Sequence, residues 1–183
     1  MTQCVAGGEV VAVHSSTRHA FSKDPRTQIE LITGLGIRGD AHAGAKVQHL
    51  SRVRANPTQP NLRQVHLIHC ELFDEMELHG FEIRPGQLGE NISTLGIDLL
   101  ALGRDDRLHI GEAVLAVTGL RNPCAQIEAF RPGLLWHLAY RRGEAIVRKA
   151  GIMTIVERGG WIRPGNAIRV EPARDTPIAL DRV

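Results

Sequence analysis

Cys124 is the residue of this sequence best suited to act as a nucleophile or as a soft-metal ligand. It follows Asn122-Pro123, where the backbone turns, and Arg121 lies three positions before it. A guanidinium near a thiol in a loop favours the thiolate, the form that attacks electrophiles and binds soft metals. The same setting also suits an ordinary loop cysteine, and spacing alone does not separate the two. Asp40 and His42 are a second pair with chemical capacity. Two positions apart on extended backbone they share a face, and could form an acid-imidazole unit that orients a ligand or moves a proton. Placed beside Gly39, they equally suit a solvated turn.

Two other patterns carry less. His66, His69 and Cys70 have the i, i+3, i+4 spacing that gathers metal ligands on one helical face. The local sequence Val65 to His69 reads as a strand, however, and a strand points His66 and His69 to opposite sides. Gly34-Leu35-Gly36-Ile37-Arg38-Gly39 matches G-x-G-x-x-G, yet no Asp or Glu occurs between Asp40 and Glu71 to hold a ribose. Those glycines read as a turn.

The elements that position these residues are short. Strands are expected at Glu9 to Ser15, Gln28 to Thr33, Val65 to His69, Ile152 to Glu157 and Ala167 to Glu171. Arg107 to Ile110 and Ala113 to Thr118 read as two strands joined by a tight turn at Gly111-Glu112. Glu71 to His79 has a helical stripe stopped by Gly80. The run 134–150 is expected to be helical and broken at Gly143. Arg-Pro-Gly occurs at 84–86, 131–133 and 163–165, as a type II turn requires. The aperiodic, proline-containing run 51–62 is expected to be a mobile loop. Together these give a mainly β (α+β) fold, an antiparallel, barrel-like sheet decorated by helices.

Composition narrows the function classes. The 183 residues suffice for one domain burying about 70% of its unfolded surface, with no need of a disulfide or structural metal. With 22 basic and 20 acidic residues the net charge is +2, which argues against a dedicated nucleic-acid partner. No apolar run approaches the roughly 20 residues of a membrane span, and the N-terminal residues do not read as a secretory signal. The odd set Cys4, Cys70 and Cys124 argues against a disulfide scaffold. These features lead to the expectation of a soluble cytoplasmic protein with free thiols, Cys70 as a small core residue and Cys4 in a frayed terminus.

Four segments in order resemble the motifs of the MOSC domain: Gly39-Asp40-Ala41-His42, Leu88-Gly89-Glu90-Asn91-Ile92, Leu108 to Leu115 (LHIGEAVL), and Arg121-Asn122-Pro123-Cys124. The resemblance covers about residues 8–172 and leaves 1–7 and 173–183 as terminal tails. MOSC domains form the C-terminus of molybdenum cofactor sulfurases and also occur as stand-alone bacterial proteins. The resemblance implies binding of the molybdenum cofactor (molybdopterin), with Cys124 matching the family cysteine that ligates molybdenum in amidoxime-reducing members. In sulfurase-type members the domain is a sulfur-handling partner of a pyridoxal-phosphate desulfurase, so a persulfide on Cys124 is the alternative role.

Layered on that resemblance, Arg121 is the expected cofactor-phosphate ligand, with Arg38 as a weaker one and Arg63 nearby. Asn91 is expected to hydrogen-bond the pterin, with Asp40 and His42 on the opposite wall. The chain carries no identifiable pyridoxal-phosphate lysine motif. A small-molecule substrate would therefore be reduced with electrons from a separate donor protein, or sulfur would arrive from a separate cysteine desulfurase.

Overall fold

The structure, a computed structural model, describes residues 5–183, so Cys4 lies outside the described residues. Its strands are β1 (Val5–Ser15), β2 (Asp24–Arg26), β3 (Ile29–Ile32), β4 (Gly36–Ile37), β5 (Val65–His69), β6 (Ile92–Leu95) and β7 (Arg107–Ile110), followed by β8 (Ala113–Leu120), β9 (Ala139–Arg142), β10 (Ala145–Arg148), β11 (Ile152–Arg158), β12 (Gly160–Ile162) and β13 (Ala167–Glu171). Four short helices accompany them: α1 (Leu50–Ala55), α2 (Glu71–Leu78), α3 (Ala125–Phe130) and α4 (Leu134–Leu138).

Seven strands close into a barrel in the order β13-β7-β8-β11-β5-β6-β1, with β1 pairing back onto β13 and β2 continuing beyond β1. The barrel-like α+β expectation therefore holds, with one correction to its strand directions. β5 and β6 run parallel, Leu67 beside Ile92, whereas the other barrel neighbours are antiparallel. A parallel pair needs a crossover rather than a hairpin, and the connection carrying α2 supplies it. Closure is helped at Gly8, where φ is +117° and the register on β13 shifts between Ala6 and Gly8. A side chain there would strike the carbonyl oxygen of Leu95 on β6, so only glycine lets the bulged strand pass.

β5 shows how the two cores share one strand. Val65 and Leu67 point into the barrel beside Val13, Leu115 and Ile152. Ile68 points outward, beneath a cap formed by Leu72, Met76, Ile127 and Leu134 from the helical side. Both faces are covered, which explains why Val65 to Ile68 are all buried, His66 included. His66 shares the outward face, on the side where the site described below is built.

Two local expectations change. The run 134–150 is helical only through Leu138; β9 and β10 then form a hairpin turning at Gly143, whose φ is +63°. Alanine and charged residues gave this hairpin no alternating pattern, because it packs little of its surface. The run 51–62 begins inside α1 and is tied down beyond it, with Val47 N–H donating to Gln59 O and Asn61 N–H to Ala45 O. The segment expected as a C-terminal tail, 173–183, ends beside β8: Leu120 N–H donates to Asp181 O and Val183 N–H to Leu120 O. At the other end, Val5 and Ala6 pair with β13.

The Arg-Pro-Gly corners behave as expected. Gly86, Gly133 and Gly165 have φ of 87°, 89° and 84°. Each corner closes a bond from the arginine carbonyl to the N–H three residues on, at 3.1, 3.1 and 3.2 Å. Among the described residues, no helix is long and apolar enough to cross a membrane.

Candidate functional site

β8 delivers the Arg121 to Cys124 segment. Arg121 N–H donates to Gly151 O, and Cys124 stands at the N-cap of α3, its carbonyl accepting from Ile127 N–H. The Cys124 thiol is partly exposed and lies 3.6 Å from Gln126 Oε1. It borders a cavity of about 400 Å³, a size ordinary for small-molecule and cofactor sites, whose wall includes Phe21, Lys23, His42, His49, Arg63 and Arg121.

One side of the cavity is organised around Asp40. Its Oδ2 accepts from Lys23 Nζ at 2.7 Å, Asn91 Nδ2 at 3.1 Å and Ser16 N–H at 3.2 Å. Its Oδ1 accepts from His42 N–H at 2.9 Å and lies 3.2 Å from His42 Nδ1. The pairing of Asp40 with His42 is achieved by a turn, closed by Ala43 N–H donating to Asp40 O, and not by extended backbone. Burial by itself raises the Asp40 carboxyl, but the hydrogen bonds from His42 and Lys23 and the lysine charge outweigh it, holding Asp40 well below the usual carboxylate range.

Asn91 stands on the same side as Asp40, which corrects the expectation of opposite walls. Its Nδ2 donates to His14 O as well as to Asp40, and its Oδ1 accepts from His66 N–H at 3.2 Å. With both amide hydrogens engaged, Asn91 is a brace that fixes β1, β5 and Asp40 together. His66 is buried with its Nε2 2.7 Å from Ala150 O, and burial together with Arg121 keeps its pKa well below the ordinary histidine value.

The remaining wall is cationic. Arg121 is buried, its guanidinium 6.0 Å from the Phe21 ring centroid, and its Nη1 has no hydrogen-bond partner among the described residues. Arg63 Nε is likewise buried and unpartnered among them. Burial pushes Arg63 down to about 10, helped by Arg52 and Arg121. Arg63 is placed by Asn61, whose Oδ1 accepts from Arg63 N–H while its Nδ2 donates to His42 O and Gly44 O. Leu62 O accepts from Thr118 Oγ1 at 2.6 Å, tying the same segment to β8. His42 and His49 line the cavity together, their ring centroids 4.5 Å apart, and the exposed His19 lies 5.1 Å from His42. Burial and the surrounding cations lower His49. Burial lowers His42 too, against the opposing pull of Asp40.

Thus Cys124, Arg121, Asn91 and His42 come together at one cavity, with Asp40 just behind it. Arg38 does not join them. The turn after β4 carries its side chain to the outside, where it forms a two-pronged pair with Glu30. Lys23, Phe21 and His49 were not singled out in the sequence; they reach the cavity from segments with no motif of their own. Gly34, Gly36 and Gly39 all have positive φ and lead into turns without a following helix, as expected of turn glycines. His69 ends β5 and Cys70 caps α2, packed against the outer core, where burial first and the nearby carboxylates next push the thiol up to about 11. Among the described residues, no group of three or more His, Cys, Asp or Glu is arranged to hold a metal ion.

A closed barrel carrying a cationic cavity with a cysteine at its edge defines the class to which this chain is to be compared. The model of the MOSC domain matches residues 42–169, and the chain belongs to the MOSC domain family. Its fold is similar to that of the YuaD protein from Bacillus subtilis, 24% identical with a TM-score of 0.78, covering 95% of this chain and 100% of that one. YiiM from Escherichia coli is 18% identical, TM-score 0.60, over 93% of this chain and 73% of that one. YiiM from Geobacillus stearothermophilus is 16% identical, TM-score 0.60, over 97% and 80% respectively. No curated protein matches the chain significantly.

Proposed function

We propose that this protein binds the molybdenum cofactor with which MOSC domains are associated, and reduces N-hydroxylated compounds with electrons from a separate donor protein. The observation that carries this reading is the buried Arg121, with an unpartnered Nη1, on the same cavity as the Cys124 thiol. A buried guanidinium with an unpartnered N–H suits an anionic group, and a thiol beside it suits a soft metal, so the residues present fit a metal-bearing phosphate ester.

In this reading Arg121 and Arg63 hold the cofactor's phosphate, and Cys124 offers a thiolate ligand to molybdenum. When bound, the cofactor supplies two-electron oxygen-atom chemistry. The chain's own residues manage the protons. With Asp40 ionised, the neutral His42 ring keeps its proton on Nδ1 toward the carboxylate, leaving Nε2 as an acceptor. His42 takes a proton at Nε2 and passes it to the departing hydroxyl oxygen, and Asp40 stabilises the imidazolium in between. The reduction takes two electrons from the donor protein and two protons, and yields the amine and water.

Metal and pterin analysis of protein from a cofactor-producing host tests the reading. Stoichiometric molybdenum is expected. Protein isolated without molybdenum or pterin, and unable to take up added cofactor, overturns it. A second reading, that Cys124 carries sulfane sulfur received from a cysteine desulfurase, is favoured by the partial exposure of the thiol at the cavity edge. Mass spectrometry after incubation with a desulfurase and cysteine would then show one added sulfur at Cys124, and an unchanged mass rejects it.

A further inference from the structure

A second cavity, of about 550 Å³, lies against the first and shares Arg52, Arg63 and Asn122 with it. Its other side is formed by Arg182 and by the apolar surfaces of Pro60 and Leu62. Three arginines therefore line a space that also offers the apolar residues Pro60 and Leu62. Arg52 and Arg63 are close enough in charge terms for Arg52 to contribute to lowering Arg63. Among the described residues, none of these three arginines forms an ion pair with a carboxylate.

The placement of these residues is built into the fold. Leu120, the last residue of β8, immediately precedes Arg121. The same Leu120 binds the C-terminal segment on both sides of Arg182, through Asp181 O and Val183 N–H. Gly119 permits that approach, since a side chain there would collide with Asp181 O and Val183. One strand end therefore anchors an arginine of each cavity, while Asn61 and Thr118 fix the segment carrying Leu62 and Arg63 between them.

We propose that the second cavity is a subsite for an organic oxyanion, a molecule with a flat apolar body and a carboxylate or phosphate, bound beside the first cavity so that its reactive end reaches across the shared arginine wall. Pro60 and Leu62 pack the body, and Arg52 and Arg182 take the oxyanion through charged hydrogen bonds, with Arg63 standing between the two cavities. As the substrate site of the reaction this rests on the reading of the first cavity as the cofactor site, but ligand binding itself does not require the cofactor.

The test is calorimetric titration of cofactor-free full-length protein with phenyl phosphate and with benzoate. Binding of at least one at a 1:1 ratio is expected. Arg182→Gln, a change in an exposed side chain, is expected to weaken it about tenfold, as loss of one charged hydrogen bond would, with Arg182→Lys falling between and the thermal midpoint unchanged. Absence of heat for both probes at millimolar concentration, or Arg182→Gln binding as wild type, overturns the proposal. If the probes bind through Arg182 while the protein takes up no molybdenum cofactor, the cofactor reading falls and the oxyanion site stands.

Discussion

Lys23 Nζ and Asp40 Oδ2 stand 2.7 Å apart with each side chain only 3% exposed, so the cavity wall contains a charge pair removed from water. Such a pair gains little over apolar packing, but breaking it leaves a buried charge alone. Asp40→Asn is therefore expected to destabilise the protein by about 3–5 kcal/mol. Urea unfolding with an unchanged slope measures this, and a loss below about 1 kcal/mol would show that Lys23 escapes to water.

The pH dependence of stability should be set by histidines. Burial, first of all, lowers His14 to about 4, and lowers His42, His49 and His66. A histidine lowered in the folded state binds its proton first in the unfolded chain. Stability is then unaffected above about pH 6.5 and falls as pH drops below it, with each such histidine contributing at most about 1.4 kcal/mol per pH unit. Denaturant midpoints from pH 7.5 to 4.5 check this, and a midpoint constant or rising toward acid contradicts it.

Arg121 carries a conflict between stability and binding. Its buried guanidinium has an unpartnered Nη1 among the described residues, so Arg121→Met should stabilise the cofactor-free protein by about 1 kcal/mol, or roughly 2–4 °C. The same change should remove cofactor binding. Differential scanning calorimetry and molybdenum content together decide it; a large drop in Tm would mean that the charge is compensated within the fold.

Cys124 is partly exposed at a helix start, so Cys124→Ser should leave Tm within about 2 °C. Activity with an electron donor, or uptake of sulfane sulfur, should be lost. Retention of both would remove the thiol from either role.

Gly89 offers a structural lever on the cavity. Its φ is +83°, and a Cβ would run into the carbonyl oxygen of Phe21. Gly89→Ala should displace the segment bearing Phe21 and Lys23, lowering cofactor affinity more than tenfold while the barrel strands keep their hydrogen-exchange protection. Equal loss of protection throughout would mean a global effect.

Much of the barrel was readable because its strands are runs of β-favouring apolar residues, several of them ended by glycine turns. β5, β7 and β13 have the expected limits, and the Gly111-Glu112 turn joins β7 to β8. The parallel pairing of β5 with β6 was not readable, since it depends on where α2 leads the chain and not on any local pattern. The β9–β10 hairpin was hidden by the leucine-rich run before it. At the site, Arg121 and Cys124 were legible as one contiguous motif. Where the Arg38 side chain goes was not legible, since the turn after β4 decides which side it takes and carries it to Glu30. Lys23 and His49 could not be found, since their function comes from convergence of segments tens of residues apart.

The pairing of β1 with β13 has a consequence for how the chain is made. β1 can pair with β6 once Leu95 has been synthesised, but its other edge must wait for Ala167 to Val170. About 70 residues separate those points, roughly 4–14 s at ordinary rates of translation. During that interval the sheet has open edges on β1 and on its far side, the condition under which strands pair with the wrong chain. The barrel is thus a structure whose last hydrogen bonds are also its longest in sequence. Slow closure and sensitivity to crowded, rapid expression are written into its topology.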